Sequence, residues 1–347
     1  MRKELFGKTS EGKEVYKYEI GNKNGMKVVI TDYGATVVSI FVKDKDGNTR
    51  DVVLGYDTVE DYERGTCFFG AIVGRYANRI SNAEVTIDGT VYKLEANNFE
   101  NSLHSGKNCV ANLVWDVKEQ TDDSITFSIV SRDLEQGFPG NAAIDVTYTV
   151  TDMGELSIKY HGVSDKTTTF NMTNHSYFNL GGSVSGSIEK TILQIKASHY
   201  TPVSSAKAIP TGEIASVEGT PFDFREAKEI GQDINADNEQ LKYGNGYDHN
   251  FAIDKDGDGV ELVATAYCKE SGIKMEVFTD AIGIQLYTAN FIYGNIGKGN
   301  IRYQDRAAFC LETQYFPNSI NEPNFVTPVF DAGVPYESKT VYHFSVK

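Results

Sequence analysis

Twelve short segments share the pattern that most limits how this chain can fold: MKVVITDY, TVVSIFVKD, AEVTIDG, VYKLEA, SITFSIVSRD, AIDVTYTVTD, ELSIKYHGV, KTILQIKA, VELVATAYCKE, IKMEVFTD, GIQLYTANFIYG and TVYHFSVK. Each is rich in β-branched and aromatic residues, and several alternate apolar with polar positions, the period of a strand with one buried face. Turn signals stand between them: Asn24-Gly25, Asp46-Gly47, Asp88-Gly89, Gly137-Phe-Pro-Gly140 and Asp256-Gly257-Asp258-Gly259. Strand after strand with scarcely any helical period predicts an all-β, antiparallel sandwich with few short helices. The best helical patterning is in REAKEIGQDI, residues 225–234, where a short surface helix is expected. No linker, charge block or internal repeat divides the chain, so residues 1–347 are expected to form a single domain. The loop-like stretch 201–222 is long enough to carry function.

Charge and cysteine usage narrow the partners. Lys plus Arg is 33 against 48 Asp plus Glu, a net charge of −15. That sign opposes the counterion release behind nucleic-acid binding and disfavours anionic membranes. The four cysteines, Cys67, Cys109, Cys268 and Cys310, form no C-x-x-C pair, so neither a zinc cluster nor a disulfide framework is signalled and reduced thiols are expected. MRKELFGKTSEGKEVY lacks the apolar core of a signal peptide, and CFFGAIVG is too short to span a bilayer. A cytoplasmic location is the expectation.

Several motif-like stretches fail on inspection. DKDGDGVELVAT spaces Asp254, Asp256, Asp258 and Gly259 as a calcium loop does, but Thr265 stands where a bidentate Glu is needed, and a hairpin turn is expected instead. GGSVSG carries Val184 where a nucleophile elbow needs serine. No phosphate-cradling G-x-x-x-x-G-K-[ST] loop and no H-E-x-x-H zinc helix is present. The two N-x-[ST] patterns at Asn171 and Asn174 are coincidental in a cytosolic chain.

What remains is a set of polar residues in strand-like surroundings. In TFNMTNHSYFNLGG, period two sets Phe170, Met172, Phe178 and Leu180 on one side and Thr173, His175, Tyr177 and Asn179 on the other. A lone strand histidine of this kind is ordinarily a hydrogen-bonded structural residue. In AAFCLETQYFPNSIN, Glu312 interrupts an apolar run, either as an edge-strand carboxylate facing water or as a buried group that must be paired or raised in pKa. GRYANRI, NSLHSG, GYDHNF and GIQLYTANF add Asn78, Arg79, His104, Asp248 and Gln285. Taken singly, a surface salt bridge accounts for Arg79, a turn for His104, a turn or cap for Asp248 and an exposed strand position for Gln285.

Taken together, GRYANRI, NSLHSG, GFPGN, TNHSYFNL, GYDHNF and CLETQ, in this order, resemble the aldose 1-epimerase (galactose mutarotase) family, from about residue 5 to the C-terminus. TNHSYFNL and LETQ are the most specific of these motifs. The resemblance implies a β-sandwich of the supersandwich type whose concave sheet holds one hexose. It places the family's general acid on His175 and its general base on Glu312, and it implies sugar ligands at Asn78, Arg79, His104, Asp248 and Gln285. The chain departs from the usual pattern at Ser105, at Ile282 and in DAGVPYES, none of which removes a group used in the chemistry.

The implied reaction opens the sugar ring: a base takes the C1 hydroxyl proton while an acid protonates the ring oxygen, and closure on the other aldehyde face reverses both transfers. A carboxylate with an ordinary pKa near 4.3 suits the base, and a histidine near 6.5 is expected to need a modest upward shift to serve as acid. No metal, nucleotide or redox cofactor is called for. The alternatives are a non-catalytic carbohydrate-binding protein and a hexose-6-phosphate 1-epimerase, which would need additional Lys or Arg at the sugar's C6 end.

Overall fold

The computed structural model describes residues 2–347, and its regular structure is mostly antiparallel strand. An N-terminal meander pairs Arg2–Lys8, Glu14–Gly21, Lys27–Thr31, Thr36–Lys43 and Thr49–Asp51 in chain order. The largest sheet has nine strands, in the order Asp116–Gln120, Ser124–Ser131, Ala142–Val150, Glu155–Ser164, Tyr336–Val346, Ile273–Thr279, Glu261–Tyr267, Ile192–Ile195 and Lys228–Glu229. A further five-stranded sheet runs Ala215–Ser216, His199–Thr201, Asp248–Ala252, Gly283–Tyr287 and Cys310–Gln314. Alternation does the work that the sequence pattern promised: Ala142, Ile144, Val146, Tyr148 and Val150 all point into one core, together with Leu156, Ile158 and Tyr160 from the neighbouring strand. Among the described residues no helix is long and apolar enough to cross a membrane.

Three local expectations are corrected. REAKEIGQDI is not an α-helix: Lys228–Glu229 pairs with Ile192 and Leu193, and Ile230–Gln232 makes a single 3-10 turn. Ile230 is the buried anchor there, and Gly231 packs so tightly on Glu189 that a Cβ would lie 2.6 Å from that side chain. The two α-helices lie elsewhere, at Val59–Arg64 and Glu239–Gly244, each started by a side-chain cap from Thr58 or Asn238. DKDGDG closes no hairpin, because Asp248–Ala252 and Glu261–Tyr267 belong to different sheets; the Glu261 carboxylate accepts the Asp256 and Gly257 N–H groups instead. TNHSYFNL is not one strand but two residues of strand, Thr173–Asn174, followed by irregular chain. The alternation nonetheless holds its meaning, since Phe170, Met172, Phe178 and Leu180 all enter the main core.

The irregular chain is held by its neighbours. The His175 N–H donates to Ala71 O, and its carbonyl accepts from Gly70 N–H, both at 2.9 Å. Gly70 also accepts from Val37 N–H, tying the N-terminal meander to the His175 backbone. It has φ of 70°, and a Cβ there would sit 2.0 Å from Val37 O. Gly70→Ala is therefore expected to cost more than about 2 kcal/mol, from left-handed backbone strain plus a clash with main chain that cannot swing aside. Urea unfolding would check this; an unchanged midpoint would contradict the account.

Candidate active site

The five-stranded sheet that carries Cys310–Gln314 has two chemically distinct faces. Phe251, Ile284, Leu286 and Leu311 point into the main core. Strand pairing places Asn250 beside Gln285 and Gln285 beside Glu312, so these share the opposite face, along with Asp248, Tyr287 and Cys310. That face floors a cavity of about 250 Å³ lined by Thr66, Cys67, Phe68, Asn78, Arg79, Leu103, His104, His175, Tyr177, Asp248, Tyr287, Phe291 and Glu312. Six of the seven residues singled out from the sequence line this cavity. Gln285 does not: it lies behind the wall, where its Nε2 donates to Asp248 Oδ1 at 2.7 Å.

His175 and Glu312 face each other with Nε2 and Oε2 3.5 Å apart, and their exposures are 5% and 2%. Among the described residues neither His175 Nδ1 nor Glu312 Oε2 has a hydrogen-bond partner. Two such orphaned atoms are costly unless a ligand engages them. Burial pushes His175 down to about 4, against the opposing pull of Asp248. It pushes the Glu312 carboxyl well above its ordinary value, helped by Asp248 and opposed by Arg79. The modest upward shift expected for the histidine is thus corrected: desolvation outweighs the nearby carboxylates and moves it the other way.

The remaining polar groups are held from behind. Asn78, with φ of 63°, donates its N–H to His104 Nδ1 at 3.1 Å and accepts the His104 N–H at 3.0 Å. Arg79 donates through Nε to Asn98 Oδ1 at 3.2 Å, and its Nη2 lies 3.7 Å from Asp248 Oδ2. His104 and Ser105 are both left-handed, at φ of 53° and 67°. Ser105 occupies that strained position with compensation, since its hydroxyl accepts Tyr76 N–H and donates to Tyr76 O.

His104, His175 and Glu312 bring one potential metal-ligand atom each to within 4.8 Å of one another. Burial and the neighbouring His175 and Arg79 hold His104 well below its ordinary pKa, so the ring is neutral. With Nδ1 accepting from Asn78, the proton of the neutral ring sits on Nε2. His104 therefore offers a donor rather than a lone pair, and the trio fits an oxygen-bearing ligand better than a cation.

Comparison with known proteins identifies the family. Residues 16–343 match the family described as aldose 1-epimerase. The chain belongs to the aldose 1-epimerase family. It is 40% identical to the galactose mutarotase of Bos taurus over 333 residues, covering 96% of this chain and 94% of that protein. It is 38% identical to the aldose 1-epimerase of Escherichia coli over 325 residues, 93% of each. Among solved structures, the aldose epimerase homologue from C. elegans superposes with a TM-score of 0.86 at 31% identity, covering 95% of this chain and 98% of that one. Galactose 1-epimerase from Lactobacillus acidophilus superposes with the same score at 26% identity, covering 99% and 98%. The chain is accordingly an isomerase of the aldose 1-epimerase class, with the all-β fold of that family.

Sequence reasoning left the aromatic lining of this epimerase unnamed. Phe68, Tyr177, Tyr287 and Phe291 supply it, and Tyr177 lies parallel to the His175 ring at 5.0 Å. Tyr177 shares the odd-numbered side of its stretch with His175, which was a usable signal; the other three lie in unremarkable apolar runs.

The raised Glu312 pKa has a measurable sign. Above about pH 4.5 an unfolded Glu has lost its proton while the folded one keeps it, so stability falls as pH rises toward the folded value. Relative to Glu312→Gln, the wild type should lose about 1.4 kcal/mol per pH unit over that window. Denaturation midpoints of the two proteins followed upward from about pH 5 test this, and a difference that never changes with pH would refute it.

Proposed function

We propose that this epimerase interconverts the α and β anomers of free aldohexoses such as D-galactose and D-glucose, with Glu312 as base at the C1 hydroxyl and His175 as acid at the ring oxygen. The observation that carries the reading is the meeting of these two side chains, 3.5 Å apart and buried, from segments far apart in sequence. Relatives named galactose mutarotase and aldose 1-epimerase support the choice of substrates.

Proton bookkeeping explains why a desolvated pair suits the reaction. A charged His175–Glu312 pair and an uncharged one hold the same single proton between them. Burial makes the uncharged pair the major resting form, and ring opening proceeds from the minor charged one: a proton moves from His175 to the sugar's ring oxygen and another from the C1 hydroxyl to Glu312, so the charged pair becomes uncharged. Burial favours the uncharged form on both partners. The cavity thus lowers the energy of the open-chain state, and closure restores the starting protonation with no net exchange. His104, a fixed N–H donor, and Arg79 act at the ring oxygen; Asp248 and Asn78 hold ring hydroxyls; Gln285 serves by fixing Asp248.

Two rival readings lose ground on specific features. Among the described residues Arg79 is the one Lys or Arg side chain lining the cavity, and Asp248 already faces it, which leaves little for a sugar phosphate. A binding module has no use for a buried, unpaired carboxylate. The same reading takes residues 1–347 as one domain, supported by a core drawn from Tyr18 to Phe344, and sets the chain in the cytoplasm, where its four free thiols stay reduced.

Glu312→Gln and His175→Asn should each lower kcat by roughly a hundred- to ten-thousand-fold. Magnetisation exchange between galactose anomers measures it directly. An exchange rate untouched by both substitutions would sink the assignment.

A further inference from the structure

We propose that Phe68 is the platform on which the C–H face of the sugar rests, and that it tilts this site toward galacto-configured rings. The proposal rests on the reading of the cavity as the hexose site.

The cavity is chemically two-sided. Asn78, Arg79, Asp248 and Glu312 offer donors and acceptors, while the remaining wall is largely aromatic. A pyranose is likewise two-sided, with hydroxyls at its edge and C–H groups on its faces, and an aromatic ring is the natural partner for the latter. Three of the four aromatic rings are poorly placed for that duty. Tyr177 is buried between other rings, parallel to His175 at 5.0 Å and edge-on to Phe69 at 4.7 Å. Tyr287 meets Tyr177 edge-on at 6.0 Å, and its hydroxyl accepts the Phe291 N–H. Phe291 stands out into solvent, 64% exposed.

Phe68 is half-buried on the cavity wall, with its ring 4.9 Å from His104 and 6.3 Å from His175, at only 20° to the latter. It therefore stands beside the groups that meet the reacting end of the sugar. Its backbone supplies an independent argument. Phe68 has φ of 55°, a conformation in which a bulky residue is an outlier. Glycine would satisfy the turn more easily, so the turn itself does not call for an aromatic ring, which packs one edge on Ala71, Cys109 and Ala111 while lining the cavity. Strain of this kind persists where a side chain is needed at a set place.

The stereochemical consequence follows from the sugar. In galactopyranose the hydrogens on C3, C4 and C5 share one face and make a continuous apolar patch. In glucopyranose the C4 hydrogen lies on the other face and the patch is broken. A ring that packs against this face gains more contact with galactose.

The left-handed backbone makes the test clean, because Phe68→Gly relieves strain while it removes the platform. Anomer exchange of galactose and glucose would be followed in the full chain for the wild type, Phe68→Gly and Phe68→Tyr, with thermal unfolding in parallel. Phe68→Gly is expected to raise KM for galactose about tenfold with kcat within about threefold, and to reduce the galactose-to-glucose ratio of kcat/KM at least threefold. Phe68→Tyr should keep the wild-type KM, and any fall in the melting temperature of Phe68→Gly reports its lost packing on Ala71, Cys109 and Ala111 and is read separately from KM. An unchanged galactose KM in Phe68→Gly, or equal losses on both sugars, would overturn the proposal while leaving the acid–base reading intact. A wild type that exchanges neither sugar would remove that reading and the proposal with it.

Discussion

A carboxylate that has lost its water is the constraint around which this site is arranged. Glu312 sits on a strand whose other face is solid core, so it cannot turn away, and its cross-strand neighbour Gln285 is committed to Asp248. Its nearest charge partner is His175, 3.5 Å away and itself desolvated. Two groups that each resist charge are left facing one another with unpaired atoms. In an ordinary core this would be a defect; here it is the property that chemistry on a hydroxyl and a ring oxygen can use.

The scaffold supplies the two halves by different means. Glu312 gets its direction from sheet register, in which a slip of one residue would send it into the core and Leu311 into the cavity. His175 gets its direction from an irregular crossing, in which its N–H and carbonyl are held by Ala71 and Gly70. The second arrangement needs specific glycines and specific partners, which explains why so much polar main chain is packed into the region around residues 70–78 and 171–179.

That difference also decides what was legible in the sequence. Register is written in period two, so AIDVTYTVTD and IKMEVFTD could be read as strands and Phe170 and Phe178 assigned to the core. The charge-rich N-terminal strand RKELFGK has mostly exposed side chains and no alternation to read. REAKEIGQDI reads as helix on local composition, but one buried Ile230 and pairing to Ile192 override a weak propensity. The site residues were findable only as a set: alone, Arg79, His104 and Asp248 are ordinary turn and surface residues, and the convergence that gives them meaning is three-dimensional. The direction of the His175 shift was beyond reach, because it depends on how completely the folded chain excludes water.

The strand Tyr336–Val346 lies in the middle of the nine-stranded sheet, between Glu155–Ser164 and Ile273–Thr279, and Tyr342 reaches the Leu311 carbonyl beside Glu312. During synthesis, Glu155–Ser164 must carry an open edge until some 170 later residues have left the ribosome. The first strand of this pair and the last are therefore joined across nearly half the chain, and the support that Tyr342 gives the Leu311 carbonyl exists only once the final strand has been inserted between its two neighbours.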